Sequence, residues 1–338
     1  MNNIDDLAGL VDRLPRFELI TSPTPLEEYP RLADRLGLKR FFVKRDDLTG
    51  LAFGGNKVRE LEMFLGSALN QNCDVFIAGG GVAQSNHARQ CAAAARRAGM
   101  DIHLVLRKGL RANTRTGNLL VTNLLGATIH WVEDNPTLSD RDRLSAKMDS
   151  LAETMRQEGR RPYVLHSSFQ PLGAVGYVRA AIELLRQTEM VGIEEFVLFT
   201  TSMGATRVGL ELAQYALNAS YEVRAAGWRP VDNELHSRLA KLAADSGALL
   251  GIPWNPGSDS FHTIDFGGPE YGIPSELGIA AVQLAAQTEG LLLDPVYTGK
   301  GFAGMQSDIE QNFNKNVPVV FLHTGGLPAL FAYENDLF

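Results

Sequence analysis

The 338 residues are 45% hydrophobic and 21% charged, enough for about two domains that each bury a core. The formal charge of −7, without a Lys/Arg-rich run, argues against nucleic acid or an anionic membrane as partner, and no stretch approaches the roughly 18 apolar residues of a span. Cys73 and Cys91 form neither a disulfide framework nor a C-x-x-C pair, and the N-terminus lacks a basic, then apolar, leader, so the reducing cytoplasm is the expected location.

A β-rich run, a Gly/Ser/Asn turn and an amphipathic helix recur along the chain. Phe41–Lys44 reads as the first strand, and 57–69 as a helix with Val58, Leu61, Phe64, Leu65 and Leu69 on one side. Strands are predicted at 74–78, 102–106 and 128–132, with helices at 86–98, 116–125 and 138–158. Next come a strand at 163–165, a helix at 172–187, a strand at 195–199, a helix at 206–217 and a strand at 223–227. Helices at 233–244 and 274–288, a strong strand at 317–322 and a short final helix complete the reading. The alternation predicts the α/β class, with mostly parallel sheets covered by helices on both faces. Ligands in such folds sit at the carboxyl ends of the strands, where the glycine-rich turns lie.

The chemistry is sought in those turns. In "LAFGGNKVRE" (51–60), Lys57 opens a helix, although the positive end of a helix dipole disfavours a cation. In "AGGGVAQSNHARQ" (78–90), Ser85 and Asn86 stand at a helix start, where capping alone accounts for them about half the time. Gly79 and Gly81 begin a dinucleotide fingerprint, but Gln84 occupies the third glycine position, so that motif is weak. In "LFTTSMGATRVGLELA" (198–213), the N–H groups of Met203, Gly204, Ala205 and Thr206, with the Thr206 hydroxyl, can cradle a phosphate. A plain tight turn of small residues is the equal alternative. In "DPVYTGKGFAGM" and "FLHTGGLPALFAY", Tyr297, Thr298 and Thr324 can reach a pocket, whereas a tyrosine is also common at the edge of a core. The histidines are scattered and no residues fall at metal-ligand spacing. A lysine at a helix start, a separate phosphate cradle and a Ser-Asn loop are the parts that a pyridoxal 5′-phosphate (PLP) enzyme needs. Its lysine shares its charge with the cofactor in a Schiff base, which removes the objection to Lys57.

"GGNKVRE", "QSNHARQ", "EYGIP", "LLLDPVYTGKGFAGM" and "HTGGLPALFAY" resemble the D-cysteine desulfhydrase and 1-aminocyclopropane-1-carboxylate (ACC) deaminase family, from about residue 24 to the C-terminus. The resemblance implies the two-domain PLP fold type II, like the tryptophan synthase β chain. Residues 56–172 would form a small domain carrying the lysine, residues 1–55 with 173–338 a large PLP-binding domain, and the assembly a homodimer. It implies Lys57 as Schiff-base lysine and as the base for the Cα proton, and Asn86 as partner of the cofactor's 3′-oxygen. Ser85, with Gln84 and the N–H groups of Asn86 and His87, would hold the substrate carboxylate. Residues 203–206 would hold the phosphate, Tyr297 and Tyr271 would line the reacting centre, and Thr324 would face the pyridine nitrogen.

ACC deaminases resemble each other in Glu after the motif tyrosine and Leu before the final Gly-Gly. Thr298 and Thr324 stand there in this chain and are desulfhydrase-like. The expected reaction is therefore α,β-elimination from a small β-substituted amino acid such as D-cysteine, giving pyruvate, ammonia and sulfide. ACC deamination, an L-cysteate-type sulfo-lyase, a non-catalytic PLP-binding homologue and, last, a nicotinamide dehydrogenase are the alternatives. The chain departs from the family in "LHSSFQPLGAVGY", in "TSMGATRVGL" and in Glu270 beside the motif tyrosine, which leaves the substrate open. Residues 166–170 are expected to face it.

Overall fold

A computed structural model describes residues 3–109, 111–112, 115–133, 139–167, 169–227, 232–266 and 272–337. Tyr271, Glu270 and Ser168 lie outside the described residues. In chain order the elements are α1 (Ile4–Asp12), β1 (Leu26–Glu28), α2 (Pro30–Leu36), β2 (Phe41–Lys44), α3 (Lys57–Asn70), β3 (Val75–Val82), α4 (Asn86–Arg97) and β4 (Asp101–Arg107). Then follow α5 (Gly117–Leu124), β5 (Thr128–Val132), α6 (Asp140–Gln157), β6 (Pro162–Leu165), α7 (Pro171–Met190), β7 (Phe196–Thr200), α8 (Ala205–Leu217) and β8 (Tyr221–Gly227). The chain closes with α9 (Asn233–Leu250), β9 (Thr263–Asp265), α10 (Glu276–Glu289), α11 (Thr298–Asn312), β10 (Val319–Leu322) and α12 (Glu334–Leu337).

Two sheets result. One has six strands in the order β1-β2-β10-β7-β8-β9, the other four in the order β5-β4-β3-β6. Among the described residues every pairing is parallel except the antiparallel edge pair β1–β2. Alternate residues of each central strand feed opposite cores, as a pleated strand buried on both faces requires. In β3, Phe76 and Ala78 pack with α3 and α4, whereas Val75 and Ile77 pack with Leu144, Met148 and Ala152 of α6. In the larger sheet, Phe42, Leu198 and Val320 face α7, α8 and α9, and Phe41, Val197 and Val319 face the opposite layer, which includes α10 and α11.

α3 is the wedge between these cores. Leu61, Phe64, Leu65 and Ala68 pack into the four-stranded side, and Met63 packs into the core of the six-stranded side. Gly176 of α7 permits the close approach, since a Cβ there would run into the backbone carbonyl of Arg59. The lysine at the head of α3 therefore stands where the carboxyl ends of the strands of both sheets meet. Several elements differ from expectation. β1 and β9 are three-residue edge strands too short to show a pattern. The final "helix" is a 3-10 turn, Leu327–Ala332. The 294–305 segment, which reads as a glycine-containing turn into a helix, is largely the first part of α11 itself.

Candidate active site

A cleft of about 560 Å³ opens between the two sheets. Its lining includes Lys57 from α3, Ser85, Asn86 and His87 from the start of α4, Met203 and Gly204 before α8, and Tyr297 and Thr324.

Lys57 is set by the residue before it. Asn56 donates its N–H to the Thr324 carbonyl at 3.0 Å and its Nδ2 to Thr206 Oγ1 at 2.9 Å, pinning the head of α3 to the loop after β10 and to the first turn of α8. The preceding loop is left-handed at Ala52 (φ 44°) and Phe53 (φ 69°), as well as at Gly54 and Gly55. Arg89, fully buried, secures it by donating to the carbonyls of Ala52 and Gly54. The unfavourable position of Lys57 is offset one turn on. Its Nζ donates to Glu60 Oε1 at 2.9 Å and Oε2 at 3.2 Å, and Glu60 is 1% exposed. Burial raises the Glu60 pKa, and the Lys57 ammonium pulls against it.

Ser85 caps α4, its Oγ accepting the Ala88 N–H at 3.2 Å. Asn86 Oδ1 accepts from Asn118 Nδ2 at 2.8 Å, which turns the Asn86 amide nitrogen the other way. Asn118 is itself fully buried and held by Arg89 Nε at 2.7 Å. Burial, with the Lys57 charge behind it, lowers the His87 pKa to about 3, so the ring is neutral near pH 7.

Gly204 begins the turn into α8 and supplies no side chain to it. A Cβ there would sit 2.8 Å from the Phe169 ring, whose face lies 4.6 Å from the Arg238 guanidinium carbon. Thr324 shares a 3.0 Å hydrogen bond with Thr201 and remains in the cleft wall.

Three expected side chains point elsewhere. The Thr206 hydroxyl donates to Glu60 Oε1 at 2.9 Å. Gln84 accepts the Asn118 N–H at 2.9 Å and donates to the Thr116 carbonyl, behind the cleft wall. Thr298 is buried; its hydroxyl donates to Asp294 Oδ2 at 2.8 Å at the start of α11. Ala205 is buried as the first residue of α8.

Sequence reading passes over Glu60, Asn118, Asp294 and the cationic wall of Arg107, Arg141 and Arg238. Arg107 ends β4 and pairs with Asp140, so the strand-end rule could have found it. Nothing local marks the others. Of the 166–170 segment, His166, Ser167 and Phe169 line the cleft.

Residues 17–325 match the family described as "Pyridoxal-phosphate dependent enzyme". The chain is 39% identical over 330 residues to D-cysteine desulfhydrase of Salmonella typhi, covering 95% of this chain and 97% of that one. The enzyme of the same name from Salmonella newport matches to the same extent. The protein belongs to the D-cysteine desulfhydrase and ACC deaminase family of PLP-dependent enzymes. A crystal structure of an ACC deaminase homologue superposes on this family member with TM-score 0.88 at 31% identity, covering 98% of both chains. Serine racemase from Dictyostelium discoideum (TM-score 0.65, 15% identity, 96% and 98% coverage) shares the fold, which is PLP fold type II.

The residues of this desulfhydrase-family chain fit the cofactor. The Lys57 amine stands in the cleft wall, Asn86 has an amide donor oriented by Asn118, and the start of α8 opens on the same cleft at Met203 and Gly204. When bound, PLP supplies an electron-withdrawing ring that accepts the charge released at Cα.

Proposed function

We propose that the enzyme eliminates the β-substituent of D-cysteine or a closely similar amino acid. One water is consumed, and pyruvate, ammonia and sulfide are released. The reading is carried by the convergence of Lys57, the Ser85–Asn86 turn, Tyr297 and the start of α8 on one cleft, in a chain 39% identical throughout to proteins named D-cysteine desulfhydrase. In this reading Lys57 moves the Cα proton, while Ser85 and the first N–H groups of α4 hold the carboxylate. Asn86 donates to the cofactor's 3′-oxygen, residues 203–206 seat the phosphate, Thr324 faces the ring nitrogen, and Tyr297 and Tyr271 enclose the reacting carbon. The small domain is taken as 56–172 and the large one as 1–55 with 173–338, supported by a separate sheet and core on each side.

ACC is the weaker substrate, because the buried hydroxyl of Thr298 is spent on Asp294. Arg141 and Arg238 on the cleft wall, where Arg107 is paired with Asp140, favour, as second reading, an anionic leaving group such as the sulfonate of L-cysteate. A homodimer is supported by exposed Leu120 and Leu124 on α5, an element that lies beside the Leu327–Ala332 turn with its exposed Phe331. Free Cys73 and Cys91 suit the cytoplasm.

The test is release of keto acid from D- and L-cysteine, L-cysteate and ACC, with Lys57→Ala as blank. Pyruvate and sulfide from D-cysteine alone are expected. Sulfite from L-cysteate would establish the second reading and 2-oxobutyrate from ACC a deaminase. No keto acid from any of them would overturn the proposal.

A further inference from the structure

Glu60 is a buried acid whose partners belong to the cofactor site. Its Oε1 takes hydrogen bonds from Lys57 Nζ and Thr206 Oγ1, both at 2.9 Å. Thr206 is the second residue of α8, and its oxygen also accepts from Asn56 Nδ2 at 2.9 Å. A hydroxyl has one proton to give and two lone pairs to fill. While Glu60 is a carboxylate, that proton is committed to Glu60 and is turned away from any anion at the head of α8.

Loading the cofactor changes the charge around Glu60. Lys57, the cation that contacts it, becomes covalently engaged, and a phosphate takes the start of α8. A carboxylate that is 1% exposed would then face a second anion with its counter-charge diverted. Among the described residues, the other groups around it offer no replacement. Arg59, on the same helix, is turned to Asp46 and Glu183. His87 on α4 is neutral, and the Cys91 thiol is pushed up by burial and by the Glu60 charge. Tyr177 on α7, also pushed up by burial, donates to Asp46 at 2.6 Å.

We propose that Glu60 is a positioning residue that takes up a proton when the cofactor binds, donates it to Thr206 Oγ1, and so turns the Thr206 hydroxyl to donate to the cofactor phosphate. The proton can come from the Lys57 ammonium, which must lose one to react, so charge balances within the site. Deprotonating Glu60 at high pH reverses Thr206 and loosens the cofactor. The inference rests on the reading of the α8 start as the phosphate seat.

The experiment strips the purified enzyme of cofactor and titrates PLP back across a pH series, following the visible absorbance of the bound cofactor and taking a Kd at each pH. Wild-type affinity should fall by about tenfold per pH unit above the Glu60 titration. In Glu60→Gln, whose amide donates to Thr206 at every pH, that limb should be flat relative to wild type. Thr206→Val should weaken binding by roughly tenfold, and adding Glu60→Gln to it should change nothing further. Equal slopes in wild type and Glu60→Gln, with Thr206→Val still weak, would overturn the role of Glu60 alone. Thr206→Val binding as tightly as wild type would overturn the phosphate seat as well.

Discussion

Asn86 and Asn118 show how a proposed cofactor-binding residue can be visible in a sequence while the residue that aims it is not. Asn86 stands out because it follows a glycine-rich strand end and opens a helix, a position where ligands gather. Asn118 lies 32 residues on, within the first turn of α5, and reads as ordinary polar filler. Folding brings its amide against Asn86 Oδ1 and the Gln84 carbonyl, with its own oxygen under Arg89 Nε. Replacing it would leave the buried Arg89 donor unpaired and free the Asn86 amide to rotate. Asn118→Ala should therefore cost about 1–3 kcal/mol of stability and roughly tenfold in PLP affinity. Urea unfolding and cofactor titration read these two effects separately, and Asn118→Asp should recover the contact with Arg89 while losing the bond to Asn86.

At the level of elements, glycine is the ambiguous signal. Before α8, the "SMGAT" turn is legible as a helix start, because a β-run leads into it and helical periodicity follows. "YTGKGFAGM" gives the opposite result. Its glycines suggest a turn, yet they lie inside α11, where they serve packing. A Cβ on Gly301 would strike the Thr201 side chain, and one on Gly304 would come within 2.8 Å of the Ala226 Cβ. Period and propensity cannot distinguish a glycine that breaks a helix from one that lets a neighbour touch it. Gly204 combines both kinds of constraint, since it opens α8 and lies under Phe169. Gly204→Ala should displace that ring and narrow the cleft at the start of α8, the proposed phosphate seat. An overpacking cost of about 1–3 kcal/mol corresponds, where it falls on the loaded state, to a PLP Kd raised roughly 5- to 150-fold. A difference in melting temperature between the cofactor-free proteins much smaller than that between the loaded ones would place the strain in the loaded state.

Across the whole molecule, the site depends on a buried charge network that joins the larger sheet to α3. Arg59 Nε and Nη2 hold both oxygens of Asp46 at 2.8 and 2.7 Å and reach Glu183 on α7, which Lys44 at the end of β2 also contacts. The backbone carbonyl of Asp46 accepts the Gly55 N–H at 3.0 Å, two residues before Lys57, so the network also holds the loop that delivers the lysine. Burial pushes the Asp46 carboxyl up, but the Arg59 charge and hydrogen bonds, then Lys44 and the Tyr177 hydroxyl, outweigh it and hold the pKa at about 2. An unfolded aspartate titrates near 3.9, so the folded state gains from this group above about pH 4 and loses that gain as pH falls toward 2. The gain is about 2–3 kcal/mol. Arg59→Met removes the guanidinium but preserves much of its bulk, leaving the buried Asp46 and the half-buried Glu183 carboxylates to share Lys44. It should destabilise the protein by roughly 3–5 kcal/mol at neutral pH. The loss should shrink, not grow, as acid protonates Asp46, since the unpaired carboxylate then carries no charge to desolvate. Urea midpoints of both proteins between neutral pH and about pH 4 measure this directly. Curves that stay parallel across that range would mean that Arg59 acts through its packing, and curves that converge would mean that it acts through its charge.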